Sequence, residues 1–248
     1  MSSASFNWTP AAARAASLEV YLLGTVDFDA AIALQERLVY EVSGRADQQG
    51  VLLLCEHPPV ITMGREASRS HVIADPHDLA ACEIDVRWVA RGGGAFVHAP
   101  GQLAVYPILP LDRLGCRLMS FRERLEVAIA DTCRDVMMTV KRTSDSPGVW
   151  CRGGQLASFG AAVKSWVSYH GAYLNVSPDH SFLSMVESSP VGERLTSLEA
   201  QLKRPVPMHR VRESVIQNVA SVFDYDRFHI YTGHPLLKRT TRKVCQHA

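Results

Sequence analysis

Apolar positions along this chain follow two periods, and the places where the period changes mark its elements. Leu18-Glu19-Val20-Tyr21-Leu22-Leu23 is a short apolar run that reads as a strand. From Asp27 the spacing becomes helical: Ala31, Leu34, Leu38 and Val42 share one face, Asp27 is a residue type that caps a helix start, and Gly44 is placed to end the helix. Val51-Leu52-Leu53-Leu54-Cys55 is apolar throughout, as expected of a strand buried on both faces. The prolines of Glu56-His57-Pro58-Pro59 lack ladder donors, so residues 60–64 are predicted to form a second strand beyond a bend. Residues 65–84 are polar and read as irregular, and residues 85–89 as a strand.

That strand delivers the chain to Ala90-Arg91-Gly92-Gly93-Gly94-Ala95-Phe96-Val97-His98-Ala99-Pro100-Gly101-Gln102. Glycine runs cost backbone entropy and occur where a backbone turns sharply or comes close to something. With Arg91 and His98 beside the run, the stretch reads either as a ligand-facing loop or as a solvated surface hairpin. A strand over 102–109 follows. Ser120-Phe121-Arg122-Glu123 has the spacing of a capping box, with Leu125, Ile129, Thr132 and Val136 continuing one helical face. Residues 148–164 read as a hairpin turning at Arg152-Gly153-Gly154, and 166–176 as a further strand. Residues 177–194 are polar and read as a loop over a site. Residues 196–202 read as a short helix, and 209–223 as a longer one striped by Val211, Val215, Val219 and Val222.

Strands and a few helices in irregular order predict one α+β domain with a mixed sheet and flanking helices, not a regular βαβ repeat. The expected boundaries are a disordered lead-in at 1–16, the domain at 17–232 and a basic polar tail at 233–248. The chain of 248 residues has a net charge of +1 and is 47% hydrophobic, so a sizeable core is available and neither nucleic acid nor a membrane is an expected partner. Its six cysteines show no C-x-x-C pair and no zinc spacing, and read as scattered reduced thiols in a cytoplasmic protein.

Four segments each set a polar group or a glycine beside a strand end: 56–59, the glycine stretch, Gln155-Leu156-Ala157-Ser158-Phe159-Gly160, and Tyr169-His170-Gly171-Ala172-Tyr173-Leu174-Asn175-Val176. Together they would wall a narrow apolar slot with a few convergent polar groups, the usual form of a small-ligand site.

In these segments the sequence resembles the lipoyl(octanoyl) transferases of the lipoate-protein ligase B family. The family's E-H-P-P is at 56–59. Its R-G-G-x-x-T-x-H-G-P-G-Q loop is matched by Arg91, Gly92, Gly93, His98, Pro100, Gly101 and Gln102, its P-G-V-W by 147–150, its S-L-G by 158–160, its H-G-x-x-L-N-V by 170–176 and its T-S-L by 196–198. The resemblance implies the α+β fold of the biotin and lipoate ligases. It also implies transfer of an octanoyl group from octanoyl-acyl carrier protein to a lysine on lipoyl domains of 2-oxoacid dehydrogenases or on the glycine cleavage H protein. No metal or organic cofactor is implied. The substrate-binding positions it implies are Arg91, Gly92, Gly93, Gly94, Ala95, Phe96, Val97, His98, Ser158, Phe159, Gly160, Gly171, Ala172 and Tyr173.

The departures from the family pattern fall on its chemistry. The family forms an acyl-thioester on a cysteine, helped by a lysine; here Ser188 stands at the cysteine and Gln155 at the lysine, while Phe96, Val97 and Ala99 replace threonine, an aromatic residue and glycine. A cysteine titrates near ~8.5, so a nearby ammonium readily supplies the thiolate. A serine needs an adjacent general base, and an amide does not accept a proton at neutral pH. Three readings therefore stand: an octanoyltransferase with altered chemistry, a non-catalytic module that binds the acyl carrier or a lipoyl domain, and an acyltransferase for another substrate.

Overall fold

The continuous apolar run at 51–55 lies at the centre of the molecule. In the computed structural model, which describes residues 16–143, 147–187 and 194–237, it belongs to β2 (Gly50–Glu56), buried along almost its whole length. β2 lies between β1 (Ser17–Thr25), parallel to it, and β6 (Gln102–Ile108), antiparallel to it. β9 (Val167–Asn175), β8 (Gly154–Lys164) and β7 (Val149–Cys151) extend the sheet antiparallel on one side, and β10 (Arg227–Thr232) pairs parallel with β1 on the other. The resulting seven-stranded sheet is mixed, with the order β10-β1-β2-β6-β9-β8-β7.

Side chains alternate across a strand, so β2 feeds two cores. Leu52 and Leu54, with Leu103 and Val105, pack under α3 (Leu118–Asp135) and α6 (Met208–Val222) through Leu125, Ile129, Val215 and Val219. Val51, Leu53 and Cys55, with Tyr106 and Ile108, face α1 (Phe28–Ser43) through Ala31, Leu34, Leu38 and Val42, the stripe the spacing predicts. Asp27 caps α1 by accepting from the Ala30 amide at 3.1 Å. The α+β class with a mixed sheet is the one the sequence predicts.

A second, three-stranded sheet is formed by β3 (Val60–Met63), β4 (Asp85–Trp88) and β5 (Ala95–His98), in the order β4-β3-β5. Its inner face, Ile61, Met63, Ala95 and Val97, packs against Phe182 and Leu183 of α4 (His180–Leu183). Its other face carries Thr62, paired with Phe96, and His98 toward the rings of Tyr173 and Phe28.

Several expectations need correction. The end of the glycine stretch is a strand, not loop, because Ala95 to His98 find a partner in β3. Residues 65–84 contain a short 3-10 turn and α2 (Pro76–Ala81), capped by Asp75 and started by a proline at its first position. The region 177–194 includes α4 and contributes Phe182, Leu183 and Val186 to a core. α3 begins at Leu118; Ser120 lies inside its first turn and reaches back to the Arg117 amide at 3.0 Å. The short helix is α5 (Leu198–Leu202), and the C-terminal strand β10 has no counterpart in the sequence reading. The lead-in at 1–15 and the tail beyond Leu237 lie outside the described residues. Among the described residues, no helix is long and apolar enough to cross a membrane.

Candidate functional site

Between the two sheets the polar residues of the motif segments form one directional chain of hydrogen bonds. The guanidinium of Arg91, fully buried, donates to the Thr62 carbonyl at 2.8 Å and to Thr62 Oγ1 at 2.6 Å, and to the carbonyls of Gly92 and Gly94 at 3.0 and 3.1 Å. Thr62 Oγ1 lies 2.9 Å from His98 Nε2, and His98 Nδ1 lies 2.9 Å from Gln102 Oε1. Gln102 Nε2 in turn donates to Val97 O at 3.0 Å and to Asn175 Oδ1 at 2.9 Å. An amide oxygen only accepts, so Nδ1 of His98 carries its proton and Nε2 accepts from the Thr62 hydroxyl. Three stretches far apart in sequence, at Thr62, at 91–102 and at Asn175, are thereby locked to one another.

His57 makes a parallel brace. Its Nδ1 lies 2.8 Å from the Val26 carbonyl and must donate there, leaving Nε2 to accept from Tyr106 Oη at 2.7 Å. Burial pulls the His57 pKa down to about 4 and that of His98 well below its ordinary value. Burial, reinforced by the charges of Arg91 and Arg65, pulls His170 down to about 3. All three are neutral at pH 7. Burial also lowers Arg91 to about 10, which leaves it charged. Neutral acceptors and the face of Phe96, whose ring centroid is 3.7 Å from the guanidinium carbon, surround that charge.

In front of this layer lies a cleft of about 200 Å³. One wall is rich in glycine: Gly92 and Gly93, then Phe159, Gly160 and Ala161 of β8, with Gly171 of β9; Phe159 and Ala161 turn their side chains to the α3 side. The other is the first two turns of α3, where Leu118, Met119, Arg122 and Leu125 face the opening; Leu118 and Met119 are 45% and 57% exposed. Arg65 and Glu66 close the top, and Pro147 one end. The glycine wall is fixed from both sides: the Gly92 amide donates to Ala161 O at 3.0 Å, and the Gly93 amide to Glu66 Oε1 at 3.1 Å. Gly93 has φ +79°, where a side chain is strained. At Gly160 a Cβ would come within 2.7 Å of the Gly92 carbonyl oxygen, so the two backbones meet only because position 160 lacks a side chain.

Of the residues predicted for the site, Gly92, Gly93, Phe159, Gly160 and Gly171 line the cleft. Arg91, Gly94, Phe96, His98 and Tyr173 form the layer behind it, while Ala95 and Val97 point into the small sheet's core and Ala172 into the core under α3. Ser158 pairs with Tyr173 across β8 and β9. Gln155 is buried beyond Pro147, its amide 3.4 Å from Pro147 O and 3.2 Å from Ala157 O. Ser188 lies outside the described residues. Arg65, Glu66, Thr62 and the apolar pair at the start of α3 were not singled out from the sequence. The available signal was Leu118-Met119 at the start of an otherwise amphipathic helix.

The family model for the lipoyl protein ligase A/B catalytic domain matches residues 27–220. The chain belongs to that family. Among curated members, the octanoyltransferase of Chloroflexus aggregans is 37% identical over 213 residues, covering 84% of this chain and 96% of the relative. Lipoate-protein ligase A bound with ATP superposes with a TM-score of 0.73 at 15% identity, covering 89% of this chain and 90% of its own. A bi-partite lipoate protein ligase from Thermoplasma acidophilum, solved in a study of that ligase and its E2 lipoyl domain, gives 0.71 at 17% identity, covering 89% of each chain. These structures share the fold; the sequence relatives are octanoyltransferases. The lipoyl ligase A/B match spans the whole hydrogen-bond chain from Thr62 to Asn175 and both walls of the cleft.

Proposed function

We propose that this chain takes a medium-chain acyl group, octanoyl by family, from the thioester of acyl carrier protein and passes it to a lysine of a lipoyl domain or of the glycine cleavage H protein. The observation that carries the reading is the run of glycines along one wall of the cleft. Gly92, Gly93, Gly160 and Gly171 present no side chains, which suits a flat, unbranched alkyl chain. Arg65 and Arg122 at the opening suit the phosphodiester of a carrier's prosthetic arm. In the reaction the lysine nitrogen attacks the thioester carbonyl, an amide forms, the carbon–sulfur bond breaks, and the amine proton leaves with the thiol. Without a cysteine at position 188 or an ammonium at position 155, the chain contributes proximity and orientation to a direct attack.

A second reading is favoured by Gln155. Its amide lies within reach of two backbone carbonyls and can take no proton from a nucleophile. In that reading the chain binds the acyl carrier or the lipoyl domain without turnover.

Intact-mass spectrometry of the full chain mixed with octanoyl-acyl carrier protein and an apo lipoyl domain separates the two. An octanoyl adduct on the lipoyl domain, at a rate above the mixture lacking this chain, is the expected result. Carrier left fully loaded and acceptor unmodified would remove the transferase reading. In that case the double variant Gln155→Lys/Ser188→Cys is expected to restore transfer.

A further inference from the structure

We infer that the backbone amide of Gly93 is the donor that receives the thioester carbonyl oxygen, and that the Glu66 carboxylate holds its place until the acyl group arrives; the inference rests on the acyl-transfer reading above. Both residues line the cleft. The Gly93 N–H donates to Glu66 Oε1 at 3.1 Å, and the Glu66 amide donates back to the Gly93 carbonyl at 3.2 Å. The neighbouring amide, that of Gly92, is committed to a backbone carbonyl, that of Ala161. Gly93 instead gives its N–H to an exposed side chain, so the partner can leave for water while the backbone stays where it is. A carboxylate oxygen carries the same kind of charge as the oxygen of a tetrahedral intermediate. Its seat on Gly93 marks a point of the cleft where such an oxygen is accepted.

Arg91 strengthens this donor from behind. Its buried guanidinium donates to the Gly92 carbonyl at 3.0 Å. That carbonyl and the Gly93 N–H belong to one peptide group, so drawing electrons toward the oxygen makes the N–H a better donor. The positive charge is thereby felt in the cleft although the guanidinium itself stays behind the wall. The loop is also fixed in advance: the Gly94 carbonyl accepts from Arg91 at 3.1 Å and from the Gly64 amide at 3.1 Å. A donor fixed before the reaction costs no reorganisation when charge develops on its acceptor. As the lysine nitrogen attacks, the π pair of the thioester carbonyl moves onto its oxygen, and Gly93 receives that oxygen. The pair returns as the carbon–sulfur bond breaks, and the thiol leaves with the amine proton.

The test is calorimetric titration of the full chain with octanoate, whose carboxylate stands in for the oxyanion, together with the nitrogen–proton NMR signal of the Gly93 amide. Both are repeated on Glu66→Ala and Glu66→Gln. Glu66→Gln keeps the length of the side chain, and the same comparisons are read on it if the smaller variant does not fold. Octanoate is expected to bind Glu66→Ala about three- to tenfold tighter than the native chain, because one exposed hydrogen bond no longer has to be broken, with Glu66→Gln between the two. In Glu66→Ala the Gly93 proton signal moves downfield as octanoate binds. Tighter binding with that signal unmoved means that Glu66 acts through its charge alone, and overturns the Gly93 donor. Equal or weaker binding by the variants overturns the place-holding role of Glu66. Either result leaves the acyl-binding reading intact. No octanoate binding by any of the three overturns the acyl-binding reading, and this inference with it.

Discussion

Arg91 is a positive charge held out of water without a carboxylate partner among the described residues. Such a charge persists only where good acceptors surround it. Thr62 supplies two of them and passes its own proton to His98, so its small side chain joins the charge to the rest of the network. Thr62→Val keeps the shape and removes both links. It should cost about 2–3 kcal/mol, because a charged donor and a histidine lone pair are left unsatisfied in the interior. Urea denaturation of the variant would read the loss, and a change within about 0.5 kcal/mol would show the network to be dispensable. The residues of this site were legible in the sequence by type but not by layer. Arg91 and His98 were read as facing a ligand, and the structure sets both one layer behind the cleft wall. Spacing cannot separate a side chain that lines a cleft from one that fixes the backbone lining it. Thr62 carried no signal at all, since a threonine in a strand is ordinary.

At the scale of elements, local chemistry was most readable where a side chain acts on its own backbone. Asp27 caps α1 as its position suggests, and Asp27→Ala is expected to lower stability by about 1 kcal/mol in chemical denaturation. An unchanged midpoint would mean that the helix is held by packing alone. Ser120 misled because the same hydroxyl geometry serves inside the first turn as well as at its boundary, and here it reaches back to Arg117 from within. β5 was hidden for a different reason. Ala95 to His98 is short and follows three glycines, and only the partner strand β3, more than thirty residues earlier, makes it a strand. β10 was hidden because all six of its residues are exposed, so it shows no buried face to read.

For the whole molecule, three buried neutral histidines make stability depend on acidity. His57 is held down to about 4, His170 to about 3 and His98 well below its ordinary value, with burial the leading cause in each. Unfolded, each takes a proton near pH ~6.5. As pH falls below that value the unfolded chain binds protons that the native chain refuses, so stability falls with falling pH. The loss is at most about 1.4 kcal/mol per pH unit for each histidine. It levels off for His57 below about 4 and for His170 below about 3. Above ~6.5 these groups contribute no slope. Melting temperatures taken in steps from neutral pH down to ~4.5 should drop accordingly. A flat profile over that window would mean that the histidines are reached by water.

The parallel pairing of β10 with β1 also has a consequence for how the protein is made. Among the described strands β1 leaves the ribosome first and β10 last, and about 200 residues separate Thr25 from Arg227. At roughly 5–20 residues per second, their synthesis takes about 10–40 s. For that interval one margin of β1 keeps its peptide groups bare while the opposite margin can already pair with β2. A bare strand margin is a template for neighbouring nascent chains. Crowded polysomes, more than the finished molecule, are therefore where this chain is most exposed to mispairing, and where a holding chaperone would have most to protect.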